Sequence, residues 1–148
     1  MPEAFEVNAF HYLIKPVDEV KVKQVLMKAL EQFSLRKMIL QFTIKKKVYT
    51  VYLGQVEYFE SMKRKMVLHL KNGKEYEYYG TMKEVIDKVS PQLFTQVHHS
   101  YVINMDYVQT KSGETIVMQS GREIAITKKF NQSFQRAYRN YVLKRTKG

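Results

Sequence analysis

The sequence has no cysteine. That excludes a disulfide scaffold, a Cys-ligated zinc site, an iron–sulfur cluster and a thiol nucleophile. It also lacks any apolar run near the roughly 18 residues of a membrane span. Met1-Pro2-Glu3-Ala4-Phe5-Glu6 is acidic and does not have the basic-then-apolar order of a secretory leader, so none is expected there. The expectation is a cytoplasmic protein. Acidic residues are scarce, 14 Asp and Glu against 25 Lys and Arg, which gives a formal charge of +11. Such an excess suggests a polyanionic partner, whether DNA, RNA or an acidic membrane surface.

What is present is enough for a folded domain. The chain has 148 residues and 45% of them are hydrophobic, so it can bury a core. The charge is unevenly spread. Residues 1–40 carry six basic and five acidic side chains, and residues 41–148 carry 19 and nine. The positive field belongs to the second part, which points to two modules with boundaries at 1–40 and 41–148.

The first module reads as strand–turn–helix. Phe10-His11-Tyr12-Leu13-Ile14 is a short buried strand that Lys15-Pro16 terminates. Asp18 is a candidate N-cap. Val22, Val25/Leu26, Ala29/Leu30 and Phe33 then recur at helical spacing, with room to continue through Leu40. The second module reads as many short strands. Residues 41–53 form one run with Lys45-Lys46-Lys47 in its middle, and residues 56–59 form another. Ser61-Met62-Lys63-Arg64-Lys65 is a polar break, and Asn72-Gly73 is a hairpin signal between strands at 66–70 and 75–79. Thr81-Met82-Lys83-Glu84 is a capping box for a short helix that Pro91 closes. Strands follow at 94–102, 107–110, 115–119 and 122–126. A final helix from Thr127 places Phe130, Phe134, Ala137/Tyr138 and Tyr141 on one face. The fold class is mainly β with short helices.

No glycine-rich phosphate loop, nucleophile elbow or zinc-protease helix occurs. On one strand His98 and His99 point to opposite faces, so they do not form a metal pair. Glu75 and Glu77 share a strand face and read as solvated charges. The basic breaks carry more information. Lys63, Arg64 and Lys65 lie between strands, and Lys128 and Lys129 open the last helix. Cations at a helix N-terminus oppose its dipole. They make sense where a phosphate docks on the free N–H groups, and equally as a solvated basic turn. Lys45-Lys46-Lys47 reads as an ordinary solvated segment. Tyr49, Tyr52, Tyr58, Tyr76, Tyr78 and Tyr79 are able to stack on bases, but sheet packing is the stronger expectation.

The run Phe94-Thr95-Gln96-Val97-His98-His99-Ser100-Tyr101-Val102-Ile103-Asn104-Met105-Asp106-Tyr107-Val108 resembles the central motif of the LytTR-type DNA-binding domain. Ser120-Gly121-Arg122-Glu123-Ile124-Ala125-Ile126-Thr127-Lys128 is similar to that family's turn, strand and helix start, and the likeness covers about residues 41–145. Ala9-Phe10-His11-Tyr12-Leu13-Ile14-Lys15-Pro16 resembles the last strand of a response-regulator receiver domain, with the following helix as its last helix. Lys15 matches the receiver's phosphate-sensing lysine. The acidic cluster and phosphoacceptor Asp have no counterpart in this sequence, so its phosphorylation is not expected.

The resemblance implies an elongated stack of small antiparallel sheets whose loops enter major grooves and bend the DNA. It implies a double-stranded DNA partner with a direct-repeat operator, on which a homodimer is an option. It implies no cofactor, metal, catalytic residue or small-molecule substrate. Carried over by position, the DNA-binding residues are Lys63, Arg64, Lys65, His99, Lys128 and Lys129. His99 stands where the family usually has Arg or Asn, and a neutral His cannot copy a bidentate Arg–guanine contact. Lys128 replaces a usual Arg and offers a point charge in place of a fork. His98 is read as a hydrogen-bonded structural histidine and Asn104 as a turn-former. The competing classes are an RNA-binding protein and a protein-interaction module built on the receiver remnant.

Overall fold

The computed structural model describes residues 16–146. The strand expected at residues 10–14, with Lys15, lies outside them. The chain divides into two compact units, one ending at Phe33 and one covering Ser34–Lys147. Helix α1 (Pro16–Lys37) begins two residues before the expected cap, Asp18. Proline suits a first helical turn, where its missing N–H costs nothing. In the first unit Val20, Leu26, Met27 and Leu30 of this helix are exposed. The helix stops at Lys37 and does not reach Leu40, which is buried in the next sheet.

The second unit opens with a hairpin of β1 (Ile39–Ile44) and β2 (Lys47–Tyr52), paired from Ile39↔Tyr52 to Ile44↔Lys47. The single run expected over residues 41–53 is therefore folded in half. Lys45 and Lys46 form the turn with φ of 49° and 69°, the left-handed pair that a two-residue hairpin requires. Lysine does not favour that geometry. Burial supplies the force: folding back puts Leu40, Phe42, Tyr49 and Val51 into one core.

Eight further strands and two helices follow. They are β3 (Val56–Met62), β4 (Lys65–Leu70), β5 (Glu75–Tyr79), α2 (Met82–Lys88), β6 (Phe94–His98) and β7 (Tyr101–Asn104), then β8 (Val108–Ser112), β9 (Thr115–Met118), β10 (Glu123–Ala125) and α3 (Lys128–Thr146). A five-stranded antiparallel sheet has the order β5-β4-β3-β7-β6, and a three-stranded one the order β10-β9-β8. The mainly β expectation, with small antiparallel sheets and short helices, holds. The capping box also forms as written: Thr81 Oγ accepts the Glu84 N–H at 3.3 Å and opens α2.

The run expected at 94–102 is broken in two, because His99 and Ser100 turn the chain between β6 and β7. His98 and His99 therefore do not share a strand, and the opposite-face argument fails for them. Their rings stack with centroids 4.3 Å apart.

The large sheet is packed on both faces. On one, Phe59, Leu68, Met66 and Val102 meet Leu40 and Phe42 of the hairpin and Val85 of α2. On the other, Tyr58, Val97 and Ile103 meet Ile116, Met118 and Ile124 of the small sheet and Phe134 of α3. The alternation Tyr58/Phe59 and Val102/Ile103 sends neighbours to opposite cores, as strand geometry demands. Of the six tyrosines, Tyr49, Tyr76 and Tyr78 pack around Phe42, and Tyr58 is buried against the His69 ring. Burial pushes the hydroxyls of Tyr58 and Tyr78 up to about 12. Tyr52 and Tyr79 remain exposed.

Two polar groups hold the connection after β7. Asn104 is fully buried, and its Nδ2 donates to the Val56 carbonyl at 2.9 Å while its Oδ1 accepts the Asp106 N–H at 2.9 Å. Asp106 then gathers donors from distant segments: Arg36 Nε and Nη2, both at 2.7 Å, Arg145 Nη2 at 3.1 Å, and the Tyr141 hydroxyl. Burial and the hydrogen bond to Asp106 hold the Tyr141 hydroxyl well above its usual range. Gly54 lies against the end of α1, where a Cβ would stand 2.8 Å from Arg36 Cβ and 2.9 Å from its carbonyl oxygen. Only glycine allows that approach.

Replacing Asn104 by Ala leaves the Val56 carbonyl and Asp106 N–H without partners. Asn104→Ala is expected to cost about 1–3 kcal/mol in urea-induced unfolding at unchanged m-value. A loss below about 0.5 kcal/mol would contradict this account.

Candidate nucleic-acid interface

The strand register brings separate basic segments to one end of the large sheet. The ladder of β3 and β4 runs out at Met62↔Lys65, so the turn is only Lys63 and Arg64. The wider break expected over residues 61–65 is mostly strand, because β3 is held by β4 on one side and β7 on the other. Lys63 has a φ of 59°, a left-handed conformation that costs a non-glycine residue about 1 kcal/mol. At the same end the Ser61 N–H donates to the Ser100 carbonyl at 2.8 Å. This ties β3 to the His99-Ser100 turn. The two turns lie two strand spacings apart, about 10 Å.

The start of α3 joins them through the backbone. The Thr127 N–H donates to the Val97 carbonyl at 3.0 Å, which seats the residue before Lys128 against β6. Phe134 is fully buried about two turns further on and anchors the helix. Lys128 and Lys129 stand exposed in the first turn, where no acidic residue accompanies them. The three segments 61–65, 98–101 and 127–131 hold Lys63, Arg64, Lys65, Lys128 and Lys129, both histidines and no carboxylate. Five of the six residues selected from the sequence sit on turns or a helix start, Lys65 is the first residue of β4, and all six lie towards one end of the large sheet. Lys45 and Lys46 form the tip of a different sheet.

His98 braces the middle turn. Its Nδ1 accepts the Ser100 N–H at 3.1 Å, and its ring meets Tyr101 edge-on at 5.6 Å. That bond assigns the proton of the neutral ring to Nε2. Burial, then the neighbouring His99, hold the His98 pKa below its ordinary 6.5. The reading of His98 as a hydrogen-bonded residue of the scaffold fits this geometry.

Arg122, in the turn before β10, has a role that its residue type and position did not announce. Its Nη2 donates to the Tyr101 hydroxyl at 2.8 Å and lies 3.7 Å from Glu60 Oε2. Tyr101 in turn donates to Glu60 Oε2 at 2.9 Å, and His69 Nε2 stands 3.2 Å from Glu60 Oε1. The Glu60 carboxylate is thus matched by a guanidinium and two hydrogen-bonding side chains. Glu57, on the same strand, is 3% exposed and accepts from Ser120 Oγ. Glu75 and Glu77 stand exposed beside His69 and Lys65, at 3.5 and 4.0 Å. Among the described residues no cluster of three or more His, Cys, Asp or Glu has metal-binding geometry. No described helix is long and apolar enough to cross a membrane.

The His98 brace has a consequence for pH. A histidine whose folded pKa is depressed resists protonation in the native state, so the unfolded chain takes up the proton first. Its contribution is complete above about pH 6.5, the ordinary value, and is lost as the pH falls below it. His98→Asn keeps an acceptor for Ser100 but cannot titrate there. Its stability is expected to fall less between pH 7 and 5 than that of the parent, by urea unfolding; equal slopes would refute the brace.

The family model of the LytTr DNA-binding domain matches residues 46–139. The sensory transduction protein LytT of Enterococcus faecalis is 21% identical over 151 residues, covering 90% of this chain and 61% of the relative. LytT of Oceanobacillus iheyensis is 26% identical over 113 residues, covering 72% and 46%. The chain thus spans about half to three fifths of the curated relatives it matches. A solved LytTr DNA-binding domain from Bacillus cereus superimposes with a TM-score of 0.59 at 14% identity, over 68% of this chain and 96% of that one. That likeness concerns the fold. With the family match covering most of the sequence, the chain belongs to the LytTr DNA-binding domain family.

Proposed function

We propose that this chain binds double-stranded DNA in a sequence-specific way, as the output part of a two-component transcription regulator acting in the cytoplasm. One observation carries the reading: the β3–β4 turn, the β6–β7 turn and the start of α3 converge at one end of a rigid sheet, and these segments hold cations and no carboxylate. Affinity comes largely from lysines on phosphates, which makes it salt-dependent. Arg64 reads a base edge in the major groove, since its fork fits guanine O6 and N7. Lys63 and Lys65 flank it on the backbone. His99 offers a single hydrogen bond. Lys128 and Lys129 hold phosphate at the helix start, where free N–H groups favour an anion.

Binding and bending of a direct-repeat operator, by one copy or a pair, make and break no covalent bond. The RNA alternative loses its main support, because four of the six tyrosines are packed within the sheets.

The test begins with selection of bound sequences from a random duplex pool. Against a selected duplex, Arg64→Ala and Lys128→Ala are each expected to weaken binding by about 1–3 kcal/mol in fluorescence anisotropy, with thermal unfolding unchanged. Lys129→Ala is expected to lower affinity evenly across sequences and to reduce the salt slope by about 1. Wild-type affinity in all three variants, or displacement of the duplex by equimolar single-stranded RNA, would overturn the reading.

A further inference from the structure

The outermost rung of the large sheet carries a feature that cations alone do not explain. Met62 pairs with Lys65, and Lys65 pairs with Tyr79. Directly opposed residues of antiparallel strands share a face at about 5 Å. Met62, Lys65 and Tyr79 therefore stand side by side, next to the Lys63-Arg64 turn. Lys65 Nζ lies 5.4 Å from the centre of the Tyr79 ring. Met62 is 52% exposed and Tyr79 is 78% exposed, the highest value for a large hydrophobic side chain among the described residues. The Gly80 N–H donates to the Arg64 carbonyl at 3.4 Å, so the Tyr79 end of β5 is fastened to the turn.

An exposed methionine and an exposed tyrosine on the rung that borders a basic turn have a chemical use. Lysine and arginine recognise acceptor atoms, which in the major groove favours guanine. They do not recognise the 5-methyl group of thymine, which is read by apolar contact. The occupant of this rung must also tolerate Lys63, Arg64 and Lys65, with no carboxylate in residues 61–65 and the exposed Glu77 of β5 matched 4.0 Å from Lys65 Nζ. A second copy of the same surface would bring like charges together. A duplex supplies both the phosphates and the methyl group.

We infer that Met62 and Tyr79 are specificity-determining residues that pack on the 5-methyl group of a thymine beside the base edge facing Arg64. This rests on the DNA-binding reading above. Lys65 then steadies the Tyr79 ring through its π-face and reaches the phosphate on the same side. The thioether of Met62 adapts to the step between two bases.

Deoxyuridine separates this contact from every other. It keeps the hydrogen-bonding groups of thymine and lacks only the methyl. In a duplex selected by the full chain, each thymine is replaced in turn by deoxyuridine and binding is followed by anisotropy. At one thymine, or two adjacent ones, the wild-type chain is expected to lose about threefold to tenfold in affinity, the scale of one buried methyl contact. Met62→Ala and Tyr79→Ala should each lose a similar factor on the thymine duplex and little more on the deoxyuridine duplex. Tyr79→Phe, which keeps the ring, should retain the thymine preference. The inference is overturned if no deoxyuridine substitution weakens wild-type binding, or if both alanine variants keep full discrimination. Either result leaves the loss of affinity in Arg64→Ala standing, so it is distinct from failure of DNA binding itself. That failure would appear as no sequence enriched from the pool, and it would remove this inference too.

Discussion

Burial of β3 on both faces is the constraint from which the rest follows. Val56, Tyr58 and Phe59 are all buried, and they are committed to two different cores. A strand in that position has no free face, so solvent-facing chemistry moves to its ends. The neighbours β4 and β7 inherit the same condition, with Met66, Val67 and Leu68 buried on one and Val102 and Ile103 on the other. Polar and charged groups therefore collect on the turns that leave these strands. The charge pattern at this end of the sheet is a result of sheet packing before it is an adaptation to any ligand.

The same constraint explains what happens to the acids. Glu57 and Glu60 lie on the central strand, where burying an unpaired carboxylate is costly. Each is matched: Glu57 by Ser120, and Glu60 by Tyr101, His69 and the nearby Arg122. Both connections cross from the large sheet to the turn before β10. They help to lock the small sheet and, through β10, the start of α3. A negative charge that would repel a polyanion is thus spent inside the fold. Arg122 illustrates how a cation near an interface can be committed to structure, which a count of basic residues does not show.

Much of this architecture was legible in the chain. The capping box at Thr81, the Asn72-Gly73 turn and the apolar stripe of α3 each carry a local signal and form where expected, whereas the alternation read along residues 66–70 does not hold, because Met66, Val67 and Leu68 are buried in succession. The misplaced boundaries share one cause. Lys45-Lys46 and His99-Ser100 are turns without glycine, proline or asparagine, so nothing local announces them. They are imposed by pairing partners far along the sequence: β7 by β3, and β1 by the core formed with β5 and α2. The candidate site was visible as residue types, Lys63 to Lys65, His99 and Lys128 to Lys129. Their convergence was not, because it depends on two backbone hydrogen bonds, Ser61 to Ser100 and Thr127 to Val97, that join non-adjacent segments.

On the proposed reading, the choice of cation on each segment divides the work between affinity and discrimination. The helix start offers two lysines, which are strongly hydrated point charges with rotating donors. Such charges suit a phosphate approached from many directions and distinguish little. The β3–β4 turn offers one arginine, whose planar fork demands a matching pair of acceptors. It is presented from a turn clamped by strand pairing on one side and by the Gly80 N–H on the other. A fork is useful only when its direction is fixed, and a point charge needs no such fixing. On the DNA-binding reading, sequence discrimination therefore belongs to the stiff edge of the large sheet, and the start of α3 supplies strength of attachment.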